Sequence, residues 1–119
     1  MNQQTVDIFN PKTIRATMGS IFRVPFVYVP ELSPVLTQMH EKGIHTYAAH
    51  LKGQKYYDSF SFREPTAFLI GNEGNGLTKE ISDQAGQYLK IPMEGKVESL
   101  NASIAAALLM YEAHRQRNL

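Results

Sequence analysis

The chain is first of all informative for what it lacks. None of its 119 residues is a cysteine, which excludes disulfide bridges and thiolate chemistry and is typical of a reducing compartment. Twelve Lys and Arg against eleven Asp and Glu leave a formal net charge of +1, so a nucleic-acid surface would have to be a local basic patch. Residues 1–7 are polar and no apolar run could span a bilayer, so we expect no signal peptide, no membrane partner and a cytoplasmic location.

What is present is the composition of one globular domain over residues 1–119. Hydrophobic residues make up 43% of the chain and charged residues 19%, which excludes a disordered polypeptide. A chain of this length can bury about two-thirds of its unfolded surface, enough for a substantial core. We find no repeat, linker or low-complexity segment.

Local signals predict an α/β protein. Asn10-Pro11 and Ser33-Pro34 each pair an N-cap with a proline suited to the first helical turn. The first helix would bury a face formed by Ile14, Met18, Ile21 and Phe22. Residues 5–9 resemble the end of a strand, strands are predicted over residues 24–29, 44–51, 66–70 and 88–93, and Thr78 would cap a helix reaching about Ala85. The order α-β-α-β-β-α-β-α predicts a mostly parallel sheet with helices on both faces.

The C-terminal helix is the most unusual predicted element. Ser99 is suited to cap its start, and from Ile104 to Tyr111 apolar residues occupy every face. A helix that is apolar all round must be covered all round. We therefore expect the sheet to cover one side and a second copy of the chain to cover the other.

A glycine-rich segment follows the predicted strand 66–70. Ligands bind beyond the carboxyl ends of such strands, where residues 48–53, 71–76 and 91–101 are predicted to meet. A phosphate-binding P-loop is disfavoured, because Leu77 stands where the lysine is needed and Glu73 adds a negative charge. The dinucleotide pattern also fails. A tight strand-to-helix turn and a backbone-lined ligand site both remain open, and a nucleotide-binding domain resting on this loop alone is the weakest alternative.

Three motifs, taken together, resemble the SpoU (TrmH-like) RNA ribose 2′-O-methyltransferases of the SPOUT class. They are Asn10-Pro-Lys-x-x-Arg15-Ala with Gly19 and Phe22-x-x-Pro25, then Gly71-Asn-Glu-Gly-x-Gly-Leu77, then Ile91-Pro-Met-x-Gly95-x-x-Glu98-Ser-Leu-Asn101-x-Ser-x-Ala105. They occur in the family's order and cover nearly the whole chain.

The resemblance implies a fold, a cofactor and a reaction. The fold would be an α/β knot, in which the C-terminal segment threads through a preceding loop, and such knots are rare. Members bind S-adenosylmethionine, act as homodimers and transfer its methyl group to a ribose 2′-hydroxyl of rRNA or tRNA. The C-terminal helix is the expected dimer element. No metal is required, and the four histidines do not suggest a metal site.

Site residues are carried over by position. Cofactor-binding positions are Gly71, Ile91 and Leu100, with Ala49, Asn72 and Met93 as further candidates. The active-site positions are Asn101, Ser99 and Glu73. Because the cofactor carries its own activated methyl group, the protein mainly orients the reactants and removes a proton. Glu73 is better suited to orient the loops than to act as the base.

One departure from the family pattern concerns an upstream motif. The family carries an Asn and an Arg, with further strands, before the point that corresponds to residue 1 here. We therefore expect the C-terminal part of a methyltransferase domain, without its N-terminal strands, that binds the cofactor but turns over weakly. Arg15 and Arg23 belong to a different motif and are candidates for RNA phosphate contacts. A non-catalytic RNA-binding or dimerisation fragment that keeps the cofactor pocket is the alternative.

Overall fold

A computed structural model describes residues 1–2, 5–72, 76–94 and 100–119. The chain divides into two compact units, Met1–Leu32 and Ser33–Leu119. In chain order the elements are α1 (Pro11–Ala16), a 3₁₀ turn (Ser20–Phe22), α2 (Ser33–Glu41), β1 (His45–Ala49), a 3₁₀ turn (Tyr57–Ser59), β2 (Thr66–Leu69), α3 (Lys79–Gln84), β3 (Gln87–Leu89) and α4 (Ala102–Arg117).

The first unit begins its helix where the sequence predicts it. The Asn10 side chain accepts a hydrogen bond from the Lys12 N–H at 2.9 Å, and Pro11 is the first helical residue. The helix ends at Ala16, earlier than its apolar face suggested, because Met18 and Gly19 have φ values of 51° and 89°. Such left-handed backbone cannot continue an α-helix. The predicted buried face is therefore wrong, since the broken helix leaves Met18 exposed.

Residues 24–29 form no strand, contrary to the sequence prediction. Within the described residues, their backbone bonds run from Val29 N–H to the Met1 carbonyl at 2.7 Å, from the Met1 amino group to the Val27 carbonyl at 2.9 Å, and from Val24 N–H to the Ser20 carbonyl at 2.9 Å. Pro25 lacks an N–H and further limits pairing. Residues 5–9 also form no strand. A β-strand needs a neighbouring strand to pair with along its length, and a hydrophobic run in the sequence does not by itself supply one.

The second unit is built on a parallel three-stranded sheet of order β2-β1-β3. His45 pairs with Thr66 in β2, and Ala49 pairs with Leu89 in β3. The predicted parallel sheet is confirmed. β3 begins one residue earlier than expected and is shorter, with Lys90 forming only an isolated bridge to Tyr56.

One face of the sheet is covered by α2 and α3. Buried Thr46 of β1 links them, because its hydroxyl lies 2.8 Å from His40 Nε2 and accepts the Gly86 N–H at 2.8 Å. Gly43, with φ of 74°, follows the end of α2 in the left-handed conformation that terminates helices. Leu36 supplies the buried side chain of that helix.

The opposite face carries the hydrophobic core and α4, which confirms helices on both faces. The core consists of Tyr47, Phe62, Leu89, Leu109 and Ala113. Phe62 lies in the segment between β1 and β2, residues 50–65, which we call the aromatic loop. Its ring packs edge-on against the ring of Tyr47, with centroids 5.1 Å apart. The loop therefore contributes core side chains to a sheet that is only three strands wide. Edge-on ring pairs add about 1 kcal/mol beyond the area they bury.

Gln116 of α4 holds this loop in place. Its Oε1 accepts the Phe62 N–H at 2.6 Å, while its Nε2 donates to the Phe60 carbonyl and to Glu112 Oε1, both at 2.9 Å. Arg117 Nε donates to the Phe62 carbonyl at 2.9 Å. The last turns of α4 thus satisfy backbone groups that burial would otherwise leave without partners.

Among the residues that the structure describes, one side of α4 is buried and the other is exposed. Ala105, Leu109, Ala113 and Gln116 form its buried stripe. Ile104, Leu108, Met110 and Tyr111 point outward. Among the described residues, no helix has both the length and the apolar character to cross a bilayer.

Candidate active site

Three predicted cofactor positions follow the carboxyl ends of the three strands. Ala49 is the last residue of β1, Gly71 lies two residues beyond Leu69 of β2, and Ile91 lies two residues beyond β3. Because the strands are parallel and in register, these segments leave the sheet at the same edge. Ile91 is half-buried and packs against the core, so this edge has a fixed apolar floor.

The glycine loop after β2 closes on itself. The Gly76 N–H donates to the Asn72 carbonyl at 2.9 Å, and Gly76 has φ of 64°. A Cβ on Gly71 would overlap the backbone of Gly76 and Leu77. The close approach at Gly71 is thus to the loop's own backbone, where the sequence prediction placed a ligand. Glu73, predicted for the active site, lies outside the described residues.

The start of α4 differs from the prediction by two residues. The helix begins at Ala102, and Asn101 is its N-cap, with Oδ1 accepting the N–H groups of Ser103 at 2.9 Å and Ile104 at 3.4 Å. Ser99 as the N-cap is therefore wrong; Asn caps as well as Ser does, and the chain turns into the helix later. Ser99 itself lies outside the described residues, and half-buried Leu100 directly precedes the cap.

The direction of α4 points its N-terminus toward this edge. Arg117, near its end, donates to the Glu64 carbonyl just before β2 begins. The 16 residues of the helix span about 24 Å in the opposite direction to β2. A groove of about 430 Å³ between them is lined at one end by Thr66 and Arg117 and further along by Ile70 and Ala106. Leu100 and Asn101 therefore precede a helix that starts on the side of the sheet edge bearing Gly71 and Ile91.

The remaining predicted positions are more scattered. Met93 is half-buried, two residues beyond Ile91. Arg15 occupies the last turn of α1 and is exposed, whereas Arg23 donates from Nη2 to the Met18 carbonyl at 3.3 Å. Both arginines belong to the first compact unit, Met1–Leu32.

The sequence prediction missed an aromatic pair at the same edge. His50, which follows β1, stacks on Tyr88 of β3 with ring centroids 4.9 Å apart and an interplanar angle of 19°. The Tyr88 hydroxyl donates to Asp83 of α3 at 2.8 Å, and this bond raises the pKa of Tyr88. No sequence motif contains the pair, because residues 38 positions apart become neighbours only through the pairing of β1 with β3.

Comparison with known protein families identifies the family of this chain. The model of the SpoU rRNA Methylase family matches residues 1–111. This chain belongs to the SpoU family. The resemblance stated from the three sequence motifs is therefore confirmed.

Relatives of this SpoU chain are longer proteins. YacO of Bacillus subtilis strain 168, whose name places it in the TrmH family of tRNA/rRNA methyltransferases, is 38% identical over 104 residues. The match covers 87% of this chain and 42% of YacO. The chain thus spans less than half the length of this relative.

Two solved structures of SpoU-type proteins are also similar. AviRb of Streptomyces viridochromogenes, a SpoU methyltransferase solved in complex with its cofactor AdoMet, is 34% identical with a TM-score of 0.89. The match covers 98% of this chain and 48% of AviRb. An RNA 2′-O ribose methyltransferase is 35% identical with a TM-score of 0.84, over 97% of this chain and 44% of that one.

Proposed function

We propose that this chain carries the S-adenosylmethionine pocket and part of the active site of an RNA ribose 2′-O-methyltransferase that acts on rRNA or tRNA in the cytoplasm. The observation that carries the proposal is the convergence of Ala49, Gly71 and Ile91 at one sheet edge, toward which α4 directs its N-terminus. The AdoMet complex of AviRb and the similar RNA 2′-O ribose methyltransferase support the cofactor and the reaction.

The side chains at this edge suit the cofactor. Ala49, Ile91, Met93 and Leu100 are half-buried and apolar, as an adenine slot requires. Ile91 rests on the core, so the floor of the slot is fixed before binding. Asn72 and Gly71 lie in the closed loop and would border the slot.

The roles of the active-site residues follow from where they are held. When bound, S-adenosylmethionine supplies a methyl group already activated by its sulfonium. We assign Asn101 to orient the reacting groups, because capping α4 fixes the direction of its side chain. Ser99 would assist at the same helix start, and Glu73 would orient the loops rather than act as the base. The protein's contribution is mainly alignment of the ribose hydroxyl with the methyl group.

We further propose two features of the family fold for this chain: the α/β knot and a homodimer. Membership of the SpoU family, whose resemblance implies the knot, supports it. The outward face of α4 supports the homodimer, since Ile104 is 52% exposed and Tyr111 is 74% exposed. Apolar side chains in this number on one helix are usually covered by a partner.

Arg15 and Arg23 are proposed to contact RNA phosphates. Arg15 is exposed on the last turn of α1, where its guanidinium can reach a ligand from solvent. Arginine suits this role because its planar guanidinium can bind two phosphate oxygens at once.

Titration calorimetry with S-adenosylmethionine tests the cofactor pocket. Wild type is expected to release heat, and Leu100→Glu to lose it, because a carboxylate would enter the apolar slot. Leu119→Glu is the control, since Leu119 lies beyond α4, is already 80% exposed, and its substitution is expected to leave binding unchanged. No heat from wild type at millimolar cofactor would overturn the proposal.

Methyl transfer to rRNA and tRNA is measured separately with radiolabelled cofactor. Transfer by the wild-type chain that Asn101→Ala abolishes would support the catalytic assignment. Cofactor binding with no transfer to any RNA would favour a non-catalytic RNA-binding or dimerisation role.

A further inference from the structure

The turn after β1 is packed tightly against the end of β3. The His50 N–H donates to the Leu89 carbonyl at 2.9 Å, and the Gly53 N–H donates to the His50 carbonyl at 3.0 Å. A Cβ on Gly53 would lie 2.9 Å from the Leu89 carbonyl carbon, which leaves no room for a side chain there. The turn therefore holds the exposed Lys52 close to β3.

The chain beyond this turn continues along β3. The Lys90 N–H donates to the Lys55 carbonyl at 2.9 Å, and the Tyr57 N–H donates to the Lys90 carbonyl at 2.9 Å. Tyr57 packs on the core, so its neighbour Tyr56, which pairs with Lys90 in parallel, points to the opposite face. Lys90 directly follows buried Leu89, so its side chain points away from the core, to the same face as Tyr56.

This face carries rings that are held in place. The Lys52 N–H donates to His50 Nδ1 at 3.0 Å, which restricts the orientation of the imidazole ring. His50 stacks on Tyr88, and Asp83 accepts the Tyr88 hydroxyl. Tyr56 is 50% exposed and offers an uncovered ring beside them.

Three lysines lie in the same backbone segments as these rings. Lys52 and Lys55 are exposed and Lys90 is half-buried, and no ion pair is recorded for them within the described residues. The carboxylate nearest the stack, Asp83, is engaged by the Tyr88 hydroxyl. The surface is thus a local basic patch in a chain whose formal net charge is +1.

We propose that this surface, the edge patch formed by His50, Lys52, Lys55, Tyr56, Tyr88 and Lys90, binds a single-stranded segment of RNA. The lysines bind phosphates, and the exposed ring of Tyr56 stacks on an unpaired base. Duplex RNA hides its base faces, so the rings favour a single strand.

The edge patch lies next to the proposed cofactor slot, and this inference rests on the proposed function. Ala49 directly precedes His50, and Ile91 directly follows Lys90. RNA held at the edge patch would therefore run past the proposed cofactor slot, which presents nucleotides flanking the target to the active site.

The first experiment measures RNA affinity by fluorescence anisotropy with a labelled single-stranded oligonucleotide of about 20 nucleotides. The double variant Lys52→Gln/Lys55→Gln is expected to bind about tenfold more weakly, with the slope of log affinity against log salt reduced by about 1.4, or about 0.7 for each lost phosphate contact. Circular dichroism verifies that the variant is folded.

The matched control is Lys42→Gln/Arg63→Gln, which removes two positive charges near the amino-terminal ends of the strands, away from the edge patch. Both side chains are exposed, one just before β1 and the other just before β2. Affinity and salt slope are expected to stay at wild-type values. An equal loss in both double variants would overturn the edge patch, because it would reflect net charge alone.

A second variant tests stacking. Tyr56→Leu keeps an apolar side chain but removes the ring, and is expected to weaken single-strand binding about fivefold or more. Wild-type affinity for Tyr56→Leu, or equal binding of duplex and single-stranded RNA, would contradict the proposal.

Calorimetry with S-adenosylmethionine on the same variants separates this inference from the proposed function. The edge-patch variants are expected to bind the cofactor as wild type does. RNA binding lost only in these variants supports the edge patch even if wild type binds no cofactor. If the protein binds the cofactor but these substitutions leave its RNA affinity unchanged, the proposed function stands and the edge-patch proposal is wrong.

Discussion

Asn101 illustrates how one side chain serves the fold and the proposed chemistry together. Its Oδ1 accepts N–H groups from the first turn of α4, which are among the donors that a helix start leaves unsatisfied. The same bonds restrict the side chain to one direction. A group held in this way is well suited to orient a substrate, because little rotational entropy remains to be lost.

Substitution of Asn101 separates the two roles. Asn101→Ala is expected to lower the free energy of unfolding by about 1 kcal/mol, whereas Asn101→Asp keeps an acceptor oxygen and stays near wild type. Urea denaturation measures this. If the amide orients the reactants, both variants lose methyl transfer although only one loses stability. Equal destabilisation by Ala and Asp would contradict the capping role.

At single residues, the sequence predicted structure well where the signal is local. Asn10 and Thr78 perform the capping roles assigned to them, since each depends on a few neighbouring backbone groups. The start of α4 was misplaced because Ser99 and Asn101 have similar capping strength. The choice between them depends on the path of the preceding loop, which a propensity does not encode.

Among the elements, α4 connects the aromatic loop to the proposed site in the second unit. Its C-terminal half holds the aromatic loop through Gln116 and Arg117, and its N-terminal half leads to the proposed site. Glu112 stabilises this arrangement by accepting bonds from Arg115 at 2.8 and 2.9 Å and from Gln116. These bonds, chiefly that from Arg115, lower the pKa of Glu112 from 4.5 to about 2.

This shift predicts a pH dependence of stability. Between pH about 2 and 4.5 the unfolded carboxyl binds more protons than the folded one, so stability is fully present above pH 4.5 and falls as pH drops through 2. Glu112→Gln should lose about 0.5 to 1 kcal/mol at pH 7, as expected for a solvent-screened ion pair. The difference should vanish near pH 2 in urea titrations, while Glu41→Gln, exposed at the end of α2, should show none at either pH. A difference that is independent of pH would contradict this account.

The elements also show which predictions need tertiary information. Apolar runs indicated β1 and β2 correctly, because each lies within a sheet whose faces are buried. The run over residues 24–29 looks similar in sequence but has no neighbouring strand among the described residues and forms no strand itself. The aromatic loop gave no periodic signal, since its buried position depends on α4, more than 50 residues later.

At the scale of the whole molecule, the described chain exposes large apolar side chains that are not part of its core. The core cluster contains five buried residues, while α4 alone presents four large apolar side chains outward. In the buried stripe, Leu109 is fully covered, so the outward face is a separate surface rather than a poorly packed part of the core. A second copy of the chain is the occupant we propose, because two α4 faces of this kind would cover each other.

The proposed homodimer predicts a concentration-dependent assembly that charge on α4 disrupts. Sedimentation velocity of wild type at micromolar concentration should show a dimer. Leu108→Lys/Tyr111→Lys should be monomeric, because four lysines would face one another across a two-fold interface, which weakens association about a hundredfold or more. Thr37→Lys/Gln38→Lys adds the same charge to exposed positions of α2 and should remain dimeric. A wild type that stays monomeric up to about 100 μM, where standard interfaces are fully formed, would show that the outward face of α4 has no partner in another copy.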